Sequence, residues 1–148
     1  MKFLLDTNFL MIPGQFRVDI YEQLRGFGPA DLYVTELSVR ELDKLAMGHG
    51  RNASHARVAL LLMRKEGVKI IPSGKTSTSR LRGTLLGAHQ PSWLRLRGQS
   101  AADEAIRRIA KREGMVVCTA DKALKASLRK RGIRVVVLRQ RKYLGFEE

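Results

Sequence analysis

Short apolar runs alternate with amphipathic stretches along this chain, and no other feature limits its fold as strongly. Phe3-Leu4-Leu5, Leu32-Tyr33-Val34, Val68 to Pro72, Met115 to Cys118 and Ile133 to Leu138 read as strands. The stretches between them read as helices, at Val18 to Leu24, from Thr35 as N-cap to about Met47, and at Ala53 to about Lys65. Two more follow, at Ala101 to about Arg112 and Lys122 to about Arg131. Met11 to Gln15, with Pro13 and Gly14, reads as a turn, and Gly26-Phe27-Gly28-Pro29 as a stop. Strands alternating with helices predict an α/β fold with a parallel sheet and helices on both faces. The 148 residues fit one domain spanning 1–148.

One segment breaks the rhythm. Residues 73–100 form an insertion rich in Ser, Thr, Gly and Arg. Within it Arg80, Arg82, Arg95 and Arg97 alternate with leucines, and Trp93 stands beside the second pair. Such an arm could present arginines to a phosphate backbone. A solvated loop whose leucines dock locally is the alternative.

The charge balance is also unusual. Lys and Arg number 28 against 14 Asp and Glu, giving +14 and an isoelectric point near 10.8. A field of that sign attracts polyanions, and counterion release makes nucleic acid the expected partner. There is neither a long apolar span nor a basic amphipathic anchor for a membrane. The single cysteine, Cys118, closes an apolar run and reads as core; with only His49, His55 and His89 beside it, no zinc spacing exists. The first residues lack the charged region, apolar core and cleavage site of a secretory leader, so a cytoplasmic protein is expected.

With so few acids, their positions are informative. Asp6 follows the first strand and Asp121 follows the fourth through Thr119 and Ala120. Open α/β sheets place their ligands at those carboxyl ends. Each of these aspartates could instead be a helix cap. On a wheel of about 100° per residue, Glu41 falls between Leu37 and Leu45, on the face turned inward. A structural glutamate paired with a buried arginine is the bland alternative there. Asp103 lies at the edge of the face defined by Ala105, Ile106, Ile109 and Ala110, while Glu104 points away among Arg108 and Lys111. Four carboxylates in one pocket would repel one another, and one or two Mg²⁺ or Mn²⁺ ions would relieve that repulsion. Ions held there could set water against a phosphodiester.

The ordered set Leu5-Asp6-Thr7-Asn8, Val39-Arg40-Glu41-Leu42, Ala102 to Ile106 and Cys118 to Leu124 resembles PIN-domain ribonucleases. The resemblance is closest to archaeal stand-alone members related to VapC toxins and to nucleases that process small-subunit ribosomal RNA. Leu138-Arg139-Gln140 after the last strand fits that subgroup. It implies a three-layer α/β/α fold around a parallel five-stranded sheet, and metal-dependent endonucleolytic cleavage of RNA. By motif match it makes Asp6, Glu41, Asp103 and Asp121 the metal-binding catalytic acids, supported by Thr7, Asn8 and Thr119. It also implies a homodimer, and either an antitoxin or a ribosomal precursor as partner. The basic insertion departs from the family pattern, as does Ala123, where some relatives carry a further acid or amide. A phosphatase with a strand-end Asp would want a second Asp where Asn8 stands, and a receiver domain would want an acidic pair. The remaining rival is a non-catalytic basic RNA-binding protein.

Overall fold

The structure, a computed structural model, describes residues 1–72 and 101–147. The insertion, with Arg80, Arg82, Trp93, Arg95 and Arg97, lies outside the described residues. The strands are β1 (Lys2–Leu5), β2 (Asp31–Thr35), β3 (Lys69–Ile71), β4 (Val116–Cys118), β5 (Val135–Arg139) and β6 (Tyr143–Phe146). The helices are α1 (Thr7–Leu10), α2 (Ile12–Phe16), α3 (Ile20–Arg25), α4 (Glu36–Ala46), α5 (Arg51–Lys65), α6 (Ala101–Glu113) and α7 (Lys122–Lys130).

The sheet order is β3-β2-β1-β4-β5-β6, with the first five strands parallel. β1 lies at the centre, and its alternation explains the layers. Phe3 and Leu5 join a core under α1 to α5, whereas Leu4 joins a second core under α6 and α7. All three side chains are fully buried, as a strand covered by helices on both faces requires. The chain winds from β1 out to β3, then restarts at β4 on the other side. The reversal between β1 and β4 is therefore the topological switch point, where an α/β sheet leaves a crevice.

A sixth strand lies beyond the expected five. β6 pairs antiparallel with β5, in the stretch that follows the last apolar run of the sequence. The reversal places Gln140 and Arg141 at φ 51° and 56°, closed by the Lys142 amide donating to the Arg139 carbonyl at 3.0 Å. A Gln-Arg pair carries none of the Gly or Asn chemistry that usually marks such a turn. Arg139 holds it from the side by donating through Nη2 to the Phe146 carbonyl at 2.8 Å.

One further reading changes. The expected turn at Met11 to Gln15 is the helix α2, because Pro13 lies in its first turn, where a missing amide is harmless. In α5 the buried face is Ala53, Ala56, Ala59 and Met63, while Val58 and Leu61 are exposed. Small residues let α5 lie close on its neighbours, with Leu60 and Leu62 half-buried against the same core. Among the described residues no helix is long and apolar enough to cross a membrane.

Candidate active site

β1 delivers Asp6 to the crevice. The Asp6 amide continues the pairing with β4 by donating to the Cys118 carbonyl at 3.0 Å, which fixes the residue at the carboxyl edge. Its side chain is only 5% exposed. Oδ1 accepts from the Thr7 amide at 2.8 Å and Oδ2 from the Thr119 hydroxyl at 2.9 Å. Asp6 thus caps α1 as well as entering the crevice. Burial pushes its pKa up to about 7, with Asp103 and Glu41 adding repulsion and the two hydrogen bonds opposing it. A structural cap alone gives no reason to bury an acid beside other acids.

Glu41 arrives on α4, whose start is fixed by Thr35: its hydroxyl oxygen accepts from the Ser38 amide at 3.1 Å. Glu41 is half-buried, and its Oε2 accepts from the Thr7 hydroxyl at 2.9 Å. No buried arginine pairs with it among the described residues. Burial raises its pKa, Asp103 adds to that, and the Thr7 hydrogen bond works against it. Thr7 therefore serves two acids, Asp6 through its amide and Glu41 through its hydroxyl. Asp103, half-buried in the first turn of α6, raises both of the others electrostatically. Three acids from three elements act on one another at the switch point.

Asp121 stands differently. It caps α7, with Oδ1 accepting from the Leu124 amide at 3.0 Å. Its amide donates to Thr119 Oγ1 at 3.0 Å, so Thr119 links it to Asp6. Asn8 is exposed, and its side chain makes no hydrogen bond among the described residues. Cys118 is buried and its thiol is pushed up by burial alone, which leaves it a packing residue.

The residue that sequence reasoning missed is Arg107. It is 2% exposed, yet it donates through Nε and Nη2 to Glu104 Oε2, at 3.1 and 2.8 Å. Glu104 itself lies on the outer face, as its spacing predicts. The (i, i+3) spacing was the available signal for the Arg107 pair.

The donor set suits a hard divalent cation in kind: carboxylate oxygens, oriented by hydroxyls and an amide, without sulfur or imidazole. Among the described residues no three acids are drawn tightly enough to form a ready-made cage. Mg²⁺ needs no such cage, because it keeps several waters and is held by one or two carboxylates together with substrate phosphates. The group therefore fits the ion, with Asp6 and Glu41 as the best-oriented donors.

Comparisons with known proteins bear on the family and the fold. A profile of the family described as a PIN like domain matches residues 3–78 and 88–141. Ribonuclease VapC9 of Archaeoglobus fulgidus is 29% identical over 144 residues, spanning 97% of this chain and 87% of that protein. The PIN domain endonuclease Utp24 superposes with a TM-score of 0.70 at 21% identity, covering 99% of this chain and 90% of that one. VapBC-1 of nontypeable Haemophilus influenzae gives 0.56 at 20%, covering 91% and 96%. At those identities the solved structures speak for the fold, and the profile, which spans most of the chain, speaks for descent. The chain belongs to the PIN-like domain family.

Proposed function

We propose that this protein is a metal-dependent endoribonuclease that hydrolyses phosphodiester bonds in RNA, with Mg²⁺ or Mn²⁺ bound at Asp6, Glu41 and Asp103. The observation that carries the reading is Asp6 itself. A carboxylate is buried at the switch point beside two others, and that arrangement is unfavourable unless a cation completes it. The similarity to the ribonuclease VapC9 supports cleavage of RNA in particular, and the net charge of +14 supports a polyanionic substrate.

The ion, when bound, would supply Lewis-acid stabilisation and a more acidic water. The protein's own residues orient the donors. Thr119 and the Thr7 amide fix both oxygens of Asp6, and the Thr7 hydroxyl fixes Glu41. Asp121 is proposed as a fourth acid: its amide shares Thr119 with Asp6, while one of its carboxylate oxygens caps α7. The alternative, a non-catalytic RNA-binding protein, draws on the same charge and on the open spacing of the acids.

End-labelled structured and single-stranded RNAs, incubated with Mn²⁺, Mg²⁺ or chelator, separate the two. The nuclease reading expects cutting only with metal, and its loss in Asp6→Asn. RNA held tightly but left intact in every metal would favour the binder. Growth arrest on expression, relieved by a co-expressed partner, would mark toxin-type cleavage. Altered ribosomal RNA ends on loss of the protein would mark processing.

A further inference from the structure

At the opposite edge of the sheet, where the parallel strands begin, a cavity of about 300 Å³ opens between the ends of α6 and α7. Among the described residues Lys2, Lys111, Arg131 and Arg134 line it, and no acid does. All four are exposed, and none forms an ion pair among the described residues. Gly114 and Gly132 stop the two helices at φ 64° and 71°, and no atom of the described residues lies within 4 Å of where a Cβ would stand.

Helix C-termini carry partial negative charge, and cations in a last turn offset it. That accounts for Lys111 and Arg131. It does not account for Lys2, which opens β1, or Arg134, which precedes β5. Arg134 also lies with its guanidinium carbon 4.4 Å from the centre of the Phe146 ring, which limits the orientations of its planar donor fork. Four converging cations without a carboxylate repel one another until an anion joins them. The volume accommodates a phosphate with part of its sugar, and arginine forks match phosphate oxygens.

We propose that this cavity is a second phosphodiester-binding site, which holds the RNA backbone away from the point of cleavage. β1 connects the two sites, with Lys2 at the cavity and Asp6 just past its other end, roughly 13 Å of strand apart. The site anchors the substrate and leaves the chemistry to the acids. This inference rests on the RNA reading above.

The test is RNA binding in chelator, measured against salt, for the parent protein and for Lys2→Gln/Arg131→Gln. A second pair, Lys111→Gln/Arg134→Gln, guards against misfolding of the first, with thermal melts on both. Arg64→Gln/Lys65→Gln, at the end of α5, removes the same charge away from the cavity. Each lost phosphate contact to a single strand lowers the slope of log affinity against log salt by about 0.7. Both cavity pairs should lose about 1.4 in slope and roughly tenfold in affinity at 0.1 M salt, while the α5 pair changes little. Unchanged binding in folded cavity variants would overturn the site alone. Equal losses in the α5 pair would also overturn it, leaving only net charge. A parent protein that binds no RNA would overturn the RNA reading and this site with it. Titration with inorganic phosphate separates the sources: binding lost in the cavity variants, with RNA affinity intact, would assign the site to free phosphate and refute the backbone reading.

Discussion

Removing the charge of Asp6 should stabilise the metal-free protein while destroying its activity. Its carboxyl is pushed from an ordinary 3.8 up to about 7, chiefly by burial and then by Asp103 and Glu41. That difference corresponds to about 4 kcal/mol against the ionised form. The sign follows from proton counting. Between about pH 4 and pH 7 the folded state keeps a proton that the unfolded chain has lost. Stability therefore falls as pH rises through that window, and the full burden is present above it. Asn at position 6 carries no charge to bury. It keeps an oxygen for the Thr7 amide but turns an NH₂ toward the Thr119 hydroxyl, losing one acceptor at a cost of about 1 kcal/mol. The net gain at pH 8 is about 2–3 kcal/mol, or about 5–10 °C in Tm for a chain of this size. Thermal melts of parent and Asp6→Asn in chelator, from pH 4 to pH 8, check it. Near pH 4 the variant should be the less stable by about 1 kcal/mol, and its advantage should appear as pH rises and be widest at pH 8. Millimolar Mn²⁺ should then narrow it by stabilising the parent alone, by about 1.4 kcal/mol for each tenfold of metal above its Kd. A variant less stable than the parent at pH 8, or a gap that does not change with pH, would refute the reasoning.

Three further outcomes follow from single contacts. Thr7→Val removes the hydroxyl that orients Glu41 but keeps the amide to Asp6, so cleavage should fall about 10–100-fold with little change in Tm, measured by initial rates at saturating metal. Asp121→Asn retains a good N-cap for α7, so Tm should move by only a few tenths of a kcal/mol equivalent, while cleavage collapses if the carboxylate charge is used; unchanged rates would leave Asp121 a cap. Tyr21→Phe removes a buried hydroxyl that has no partner among the described residues, so urea denaturation should show equal or greater stability, by up to about 1 kcal/mol.

Much of the fold was legible because it depends on period and punctuation. The apolar run Phe3 to Leu5 in β1 and the Thr35 cap of α4 each state their environment locally. The parts that were not legible depend on partners distant in sequence. β6 turns on Gln140 and Arg141, which hold an unfavourable conformation because β5 and the Arg139 side chain retain them. The inner face of α5 is set by how closely it must approach α4, and alanines 53, 56 and 59 give that approach without a strong hydrophobic signal.

The acids divide in the same way. The inward positions of Glu41 and Asp103 could be read from helical spacing, and Asp6 and Asp121 from their places after strands. Their roles relative to one another could not. Only three dimensions reveal that Thr7 and Thr119 tie the group together, that Asp121 spends one oxygen on α7, and that Asn8 faces solvent. Arg107 was missed because a basic residue between Ile106 and Arg108 looks like surface until its partner Glu104 is placed.

The most direct measurement is Mn²⁺ binding, followed by electron paramagnetic resonance in the parent and in Asp6→Asn, Glu41→Gln and Asp103→Asn. If the three acids share one cation, each substitution weakens binding at least tenfold, while the folded state is retained. Mn²⁺ affinity equal to the parent's in all three variants would show that these carboxylates do not hold a metal, and the proposed nuclease chemistry would fall with them.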